Sequence, residues 1–269
     1  MLAVKEPSAL PSAGTKLSQR LFTVLAALNR AGQPVSLGQL AATTGLPKST
    51  VHRLLRDLQS AGFVERTATE SYHLGLELWA YGEKARGQHL LRRFALPQMR
   101  RLALETGGMV QCAILHGDQA MVLERIMGNS GIDLPSQVGM SVPLHASALG
   151  KMLLAQSPPA MARRVLCAPL PRYTANTCQS PAHLRRQLAV IRERIYAVDQ
   201  GEIVSDLHCV AVPLDLGDSE RAAAVSVSFR NPRWAPTEWL PALVAVSRRI
   251  TQRYHSPESR HVPDKQHTA

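Results

Sequence analysis

Between Ser36 and Leu74 the chain carries a run of helix stops and starts that few folds accommodate. Ser36-Leu37-Gly38-Gln39 is a capping-box pattern, a Ser followed three residues later by a Gln, and it opens a short helix burying Leu37, Leu40 and Ala41. Gly45 suits the left-handed position after that helix, and Thr44–Pro47 makes a tight turn, with Pro47 in the first turn of the next helix. This second helix, about Lys48–Ala61, is two-faced. Val51, Leu54, Leu55 and Leu58 recur at i, i+3, i+4 and i+7, while Ser49, His52, Arg53 and Arg56 lie opposite, with Lys48 and Thr50 at the start. Gly62 closes it, and Phe63–Arg66 and Tyr72–Leu74 read as two short strands around Thr67–Ser71. A helix capped by Ser18, running to about Arg30 and presenting Leu21, Val24, Leu25 and Leu28, precedes this unit.

Two helices joined by such a turn and followed by a hairpin make a winged helix-turn-helix. Small hydroxyls and helix N-terminal amides suit phosphates, and an Arg reaches guanine O6/N7 in bidentate fashion. Candidate DNA contacts are therefore Lys48, Ser49, Thr50, His52, Arg53 and Arg56, with Arg66 on the wing. The formal charge of +11 agrees, since so basic a chain usually meets an anion. Charge alone does not say which part does so, because the sequence after residue 75 is basic too.

Hydrophobic residues at 45% support a packed core, with aromatics at only 4% leaving it to Leu, Val, Ala and Ile. The apolar stretches around Leu21–Leu28 and Val210–Leu214 fall far short of the roughly 20 residues of a membrane span, and Met1–Lys16 lacks the apolar core of a signal peptide. Cys112, Cys167, Cys178 and Cys209 have no C-x-x-C spacing and read as reduced residues of a cytoplasmic protein, with neither a metal site nor a cofactor implied. The expected division is a disordered tail over 1–16, the winged helix-turn-helix over 17–75, linker helices over 76–106 containing Pro97 as a first-turn residue or kink, an effector-binding domain over 107–254 and a disordered tail over 255–269.

In the second half, 109–116 and 119–126 flank His116-Gly117-Asp118 as a hairpin, and Gly131–Val138 is a further candidate strand. His145–Gln156 starts polar and becomes an apolar helix, whose entry offers free amides and a partial positive charge to a carboxylate. Ser226 and Ser228 alternate with Val225, Val227 and Phe229, so both project from one strand face.

Two sets of motifs together resemble the IclR family of transcriptional regulators. One is Leu46–Leu55 followed by Leu58 and Gly62-Phe63-Val64. The other comprises Pro143–Lys151, Tyr196-Ala197-Val198-Asp199 with Glu202, Cys209–Pro213 and Ala224–Ser228. The resemblance spans residues 17–254. It implies an α+β chain: an N-terminal winged helix-turn-helix, a linking helix and a C-terminal GAF-like α/β effector domain. It further implies a homodimer or dimer of dimers that binds a pseudo-palindromic operator in double-stranded DNA and answers to a small organic acid. The matching effector positions are Ser147, Ala148, Leu149, Asp199, Leu207, Cys209, Ser226 and Ser228, with Val142 as apolar wall. Ile195 and Asp206 stand where the family usually has Gly; the first can force a different loop conformation, and the second puts a negative charge near the pocket.

Other readings start from the same residues. Ser147, His145 and Asp199 are the residue types of a nucleophilic triad, although no G-x-S-x-G elbow, Walker loop or H-E-x-x-H is present. That leaves a small-molecule enzyme or sensor whose N-terminal domain makes protein contacts, or a DNA-binding regulator that needs no effector. His145 is expected as a structural hydrogen-bonder and Lys151 as a salt-bridge partner.

Overall fold

The computed structural model describes residues 16–84, 86–129, 137–217, 222–230, 235 and 238–256. Of the expected tails over 1–16 and 255–269, residues 1–15 and 257–269 lie outside the described residues, as does most of the candidate strand at Gly131–Val138. The chain packs as two units that divide at His89–Leu90.

In the first unit, α1 (Leu17–Ala31), α2 (Leu37–Thr44) and α3 (Lys48–Ser60) are followed by β1 (Val64–Arg66), β2 (Tyr72–Leu74) and α4 (Leu76–Glu83). Helix α1 begins one residue ahead of Ser18, because Gln19 reaches back to the Lys16 backbone amide and makes Lys16 the cap. The core joins Val24, Ala27 and Leu28 of α1 to Leu40 of α2 and to Val51, Leu54, Leu55 and Leu58 of α3. Strands β1 and β2 pair antiparallel, and Val35 bridges Tyr72 from outside the hairpin, which ties the wing to the entry of α2.

Helix α5 (Arg86–Thr106) begins just before the division and leads to the six-stranded sheet of the second unit. Pro97 sits inside α5 rather than in its first turn; it removes one helical hydrogen bond while the helix continues. The strands are β3 (Met109–His116), β4 (Gln119–Ile126), β5 (Ser141–Val142), β6 (Ala197–Gln200), β7 (His208–Leu214) and β8 (Ala223–Phe229). Their order is β5-β4-β3-β8-β7-β6, and every neighbouring pair is antiparallel.

Strand alternation sorts side chains to two faces. One face packs on α6 (Ala148–Gln156), α7 (Pro159–Cys167) and α8 (Pro181–Arg194), and the other on α5 and α9 (Leu240–Tyr254). Val225, Val227 and Phe229 go to the α5–α9 face, leaving Ser226 and Ser228 for the other. No described helix is long and apolar enough to cross a membrane.

Candidate functional site

The turn between α2 and α3 is set locally. Ser36 accepts the Gln39 amide, and Gln39 answers the Ser36 amide at 2.9 Å. Gly45 takes φ 67°, a left-handed conformation that a side chain would oppose, and Thr44 Oγ1 donates to the Leu40 carbonyl at 2.6 Å. Pro47 occupies the cap position of α3, not its first turn, and supplies no side-chain hydrogen bond. The first amides of α3 therefore stay open to an anion beside Lys48, Ser49 and Thr50.

Lys48, Ser49, His52, Arg53 and Arg56 are exposed and Thr50 is half-buried, all on the side of α3 away from its apolar face. Arg66 is exposed on β1, but its guanidinium pairs with Glu70 at 2.9 Å and lies 5.6 Å from the centre of the Tyr72 ring. The wing cation thus already has an acidic neighbour, which the spacing of the residues alone does not reveal.

The second site is a cavity of about 40 Å³ between the sheet and the start of α6. Ser147, Ala148, Leu149, Asp199, Leu207, Cys209, Ser226 and Ser228 all line it, as does Val142. The structure adds Gln111 on β3 and Ile203 and Val204 of the loop after β6. Gln111 is a polar residue inside the mostly apolar β3 and is in register with Ser226. Its parity was readable from the sequence; the β3–β8 pairing that brings it to Ser226 was not.

Helix α6 begins at Ala148, three residues after His145, with Ser147 as its cap. The Ser147 hydroxyl accepts the Gly150 amide at 2.9 Å and donates to the Pro143 carbonyl at 2.7 Å. Gly150 is required there, because a Cβ would collide with the Pro143 carbonyl. Ala148 and Leu149 keep first-turn amides with no helical acceptor.

Asp199 is buried, and its Oδ1 accepts the Glu202 amide at 2.7 Å. Burial raises its carboxyl to about pH 7, with the Glu202 charge acting in the same direction and the amide hydrogen bond opposing. Glu202 is raised too, by burial, against the pull of Lys151, with which it forms a buried ion pair. Burial, with Asp199 second, pushes the Cys209 thiol well above its ordinary value, so the thiolate is disfavoured. The Ser228 hydroxyl oxygen is buried and, among the described residues, has no hydrogen-bond partner.

The triad residue types do not engage one another. His145 Nε2 bonds the Pro171 carbonyl at 2.9 Å, and burial lowers its pKa. Ser147 and Asp199 are committed as above. Asp206 does not face the cavity; it is exposed and pairs with Arg230 at 3.4 Å. Ile195 does not divert its loop either, since it adopts the glycine-like φ of 61° as the C-cap of α8.

The sequence matches two family models: "IclR helix-turn-helix domain" over residues 19–68 and "Bacterial transcriptional regulator IclR C-terminal" over 83–253. Among known proteins it is 30% identical to a probable transcriptional regulator, SauR, of Cupriavidus necator, covering 80% of this chain and 86% of the relative. It is likewise 30% identical to the transcriptional repressor IclR of Escherichia coli, covering 82% and 83%. Among solved structures, an IclR homolog from Microbacterium hydrocarbonoxydans complexed with 4-hydroxybenzoate superposes with a TM-score of 0.82 at 28% identity, covering 89% of this chain and 99% of that one.

Proposed function

The chain belongs to the IclR family, as a transcriptional regulator with an N-terminal DNA-binding domain and a C-terminal effector-binding domain; from that premise we propose a repressor released from its operator by a small organic acid. The repressor sense follows the named relatives. Residues 17–75 hold DNA, 76–106 connect, and 107–254 hold the effector.

In this reading α3 enters the major groove. Lys48, Ser49 and Thr50 meet phosphates at its N-terminus, His52 and Arg56 flank them, and Arg53 reads guanine, worth about 1–3 kcal/mol of base discrimination. Arg66 takes a phosphate beside the wing. Phe22, Leu76 and Trp79 are large apolar side chains left exposed on the same unit, which supports a homodimer that pairs two recognition helices on a pseudo-palindrome. Binding to DNA places the protein in the cytoplasm.

The observation that carries the effector assignment is one cavity lined together by Ala148 and Leu149, at the open first turn of α6, and by Asp199, Ser226, Ser228 and Cys209. The amides cradle a carboxylate, and the acid, hydroxyls and thiol take a second polar group, while Leu207 and Val142 pack its body. The bound 4-hydroxybenzoate of the Microbacterium homolog, a ligand with two polar ends, supports this class. A cavity of about 40 Å³ has room for a few waters. The effector therefore selects a state in which Ile203, Val204 and Leu207 have moved outward, and that difference in affinity drives the switch. No catalytic step is assigned.

The test is a footprint on the intergenic DNA beside the gene, at two salt concentrations, with Arg53→Ala in parallel. A protected pseudo-palindrome that Arg53→Ala loses supports the reading. Equal binding of both proteins to random DNA overturns it. A thermal-shift screen of organic acids then tests the effector: a ligand at about 100 times its Kd adds roughly 2.7 kcal/mol of stability.

A further inference from the structure

The effector cavity occupies one end of α6 and β7, and a larger feature lies at the other end. Leu149 and Cys209 line the first; Met152, Gln156, Pro213 and Leu214 line a groove of about 740 Å³. That volume falls within the range of small-molecule sites. Its apolar wall comes from α6, α8 and the end of β7, through Met152, Ile191 and Leu214, with Ala222 just before β8. From α9 come Ser247, Arg248 and Thr251.

Among the described residues the groove carries two arginines, Arg192 and Arg248. Arg192 Nε donates to the Ala155 carbonyl at 2.8 Å, which anchors the guanidinium while its terminal amino groups engage no described residue. Arg248 is exposed and, among the described residues, makes no hydrogen bond or ion pair. Among the described lining residues Asp215 is the carboxylate, and its Oδ1 accepts the Gly217 amide at 2.9 Å.

A second, independent observation concerns Ile195, which also lines the groove. It holds φ 61°, a left-handed conformation that a β-branched residue disfavours. Its side chain is 59% exposed, so packing within the chain does not offset that cost. A strained backbone that presents an uncovered apolar side chain beside Arg192 and Arg248 fits a surface completed by a ligand.

We propose that this groove is a second small-molecule site, distinct from the effector cavity, for an amphipathic monoanion: an acyl or aryl chain carrying one carboxylate or sulfonate. The chain lies on Met152, Ile191, Leu214 and Ile195, and the anion meets Arg248 and Arg192. Because α6 runs from one site to the other, about 12 Å over eight residues, an occupant here bears on the helix that starts the effector cavity.

The full-length protein is titrated with 1-anilinonaphthalene-8-sulfonate, octanoate is then added as competitor, and urea unfolding is followed in parallel. Saturable binding of one probe per chain, displaced by octanoate, is expected. Arg248→Glu weakens it about tenfold or more, as the loss of a charge-assisted contact predicts. Ile195→Gly weakens it while leaving the fold intact. Arg249→Glu, the same charge change at the next residue of α9 and outside the groove lining, does not. No saturable binding, or binding indifferent to both Arg248→Glu and Ile195→Gly, overturns the proposal. So does binding lost on Ser226→Leu but kept on Arg248→Glu, which assigns the probe to the effector cavity.

Discussion

Arg92 Nε donates to Glu124 Oε2 at 2.8 Å, from the connecting helix α5 to a carboxylate on β4 that is only 6% exposed. A register break explains how an acid comes to face that helix. Cys112 pairs with Glu124 but Ala113 pairs with Val122, so Leu123 is an extra residue in β4. The bulge reverses the strand's alternation and turns Glu124 away from the face of Ala120 and Val122, toward α5. The same carboxylate, after burial, helps push the Cys112 thiol up to about 12.

Glu124→Gln is accordingly expected to destabilise the second unit by about 1–3 kcal/mol, as removal of a partly buried charged partner does. Arg92→Ala costs less, since Arg92 is half exposed. A double-mutant cycle by urea unfolding checks the pair: additive losses would mean that the two side chains act independently.

The pH dependence of stability follows from Asp199. Folding raises this carboxyl from 3.8 to about 7, so between those values the folded chain binds more protons than the unfolded one. Stability from this group is therefore present at low pH, falls as pH rises toward 7, and is level above it. The raised Glu202 contributes with the same sign. Asp199→Asn is expected to flatten the slope by a few kcal/mol across that window in urea titrations. A slope unchanged by the substitution would show that Asp199 ionises normally in the fold.

The helix-turn-helix was readable in the sequence because its determinants are local: Ser36 with Gln39, Gly45, and the 3.6-residue spacing of Val51, Leu54, Leu55 and Leu58. The period-2 alternation of Ser226 and Ser228 was local as well. Lys16 rather than Ser18 caps α1 because a side chain three residues on reaches back, a competition that residue preference at one position does not decide. Gln111, Ile203 and Val204 join the cavity only through long-range register and loop closure. The outward turn of Asp206 depends on Arg230, 24 positions away in the chain.

Lys151 and Glu202 form an ion pair in which both side chains are nearly inaccessible, and among the described residues Glu202 Oε2 is buried without a hydrogen-bond partner. Lys151→Met removes the compensating cation and is expected to cost about 3–5 kcal/mol. The double substitution Lys151→Met with Glu202→Leu is expected to regain most of that, because neither charge then remains buried. Urea midpoints of the three proteins decide this; a double variant no better than Lys151→Met would mean that the pair also orders the loop after β6.

Ile195→Gly is expected to stabilise the free protein by roughly 0.5–1 kcal/mol, a relief of about 1–2 kcal/mol of left-handed strain reduced by the extra freedom of glycine in the unfolded chain. Little burial is lost, since the side chain is mostly exposed. A lower urea midpoint would show that the isoleucine packs well enough to outweigh its conformation.

If the proposed interface includes Arg66, Glu70 competes with DNA for it. Its carboxylate holds Arg66 at 2.9 Å, yet both side chains are exposed, so the pair itself adds little to stability. Glu70→Ala should leave the melting temperature nearly unchanged. It should free Arg66 for a phosphate and remove a negative charge from the same surface, so DNA binding tightens. The plot of log affinity against log salt steepens by about 0.9, the increment for one further phosphate contact. Arg66→Ala in the Glu70→Ala background should return the slope to its original value. Fluorescence anisotropy on one duplex at several salt concentrations measures all three proteins. A slope that does not move in either variant would exclude Arg66 from the interface and leave DNA contact to α3 alone.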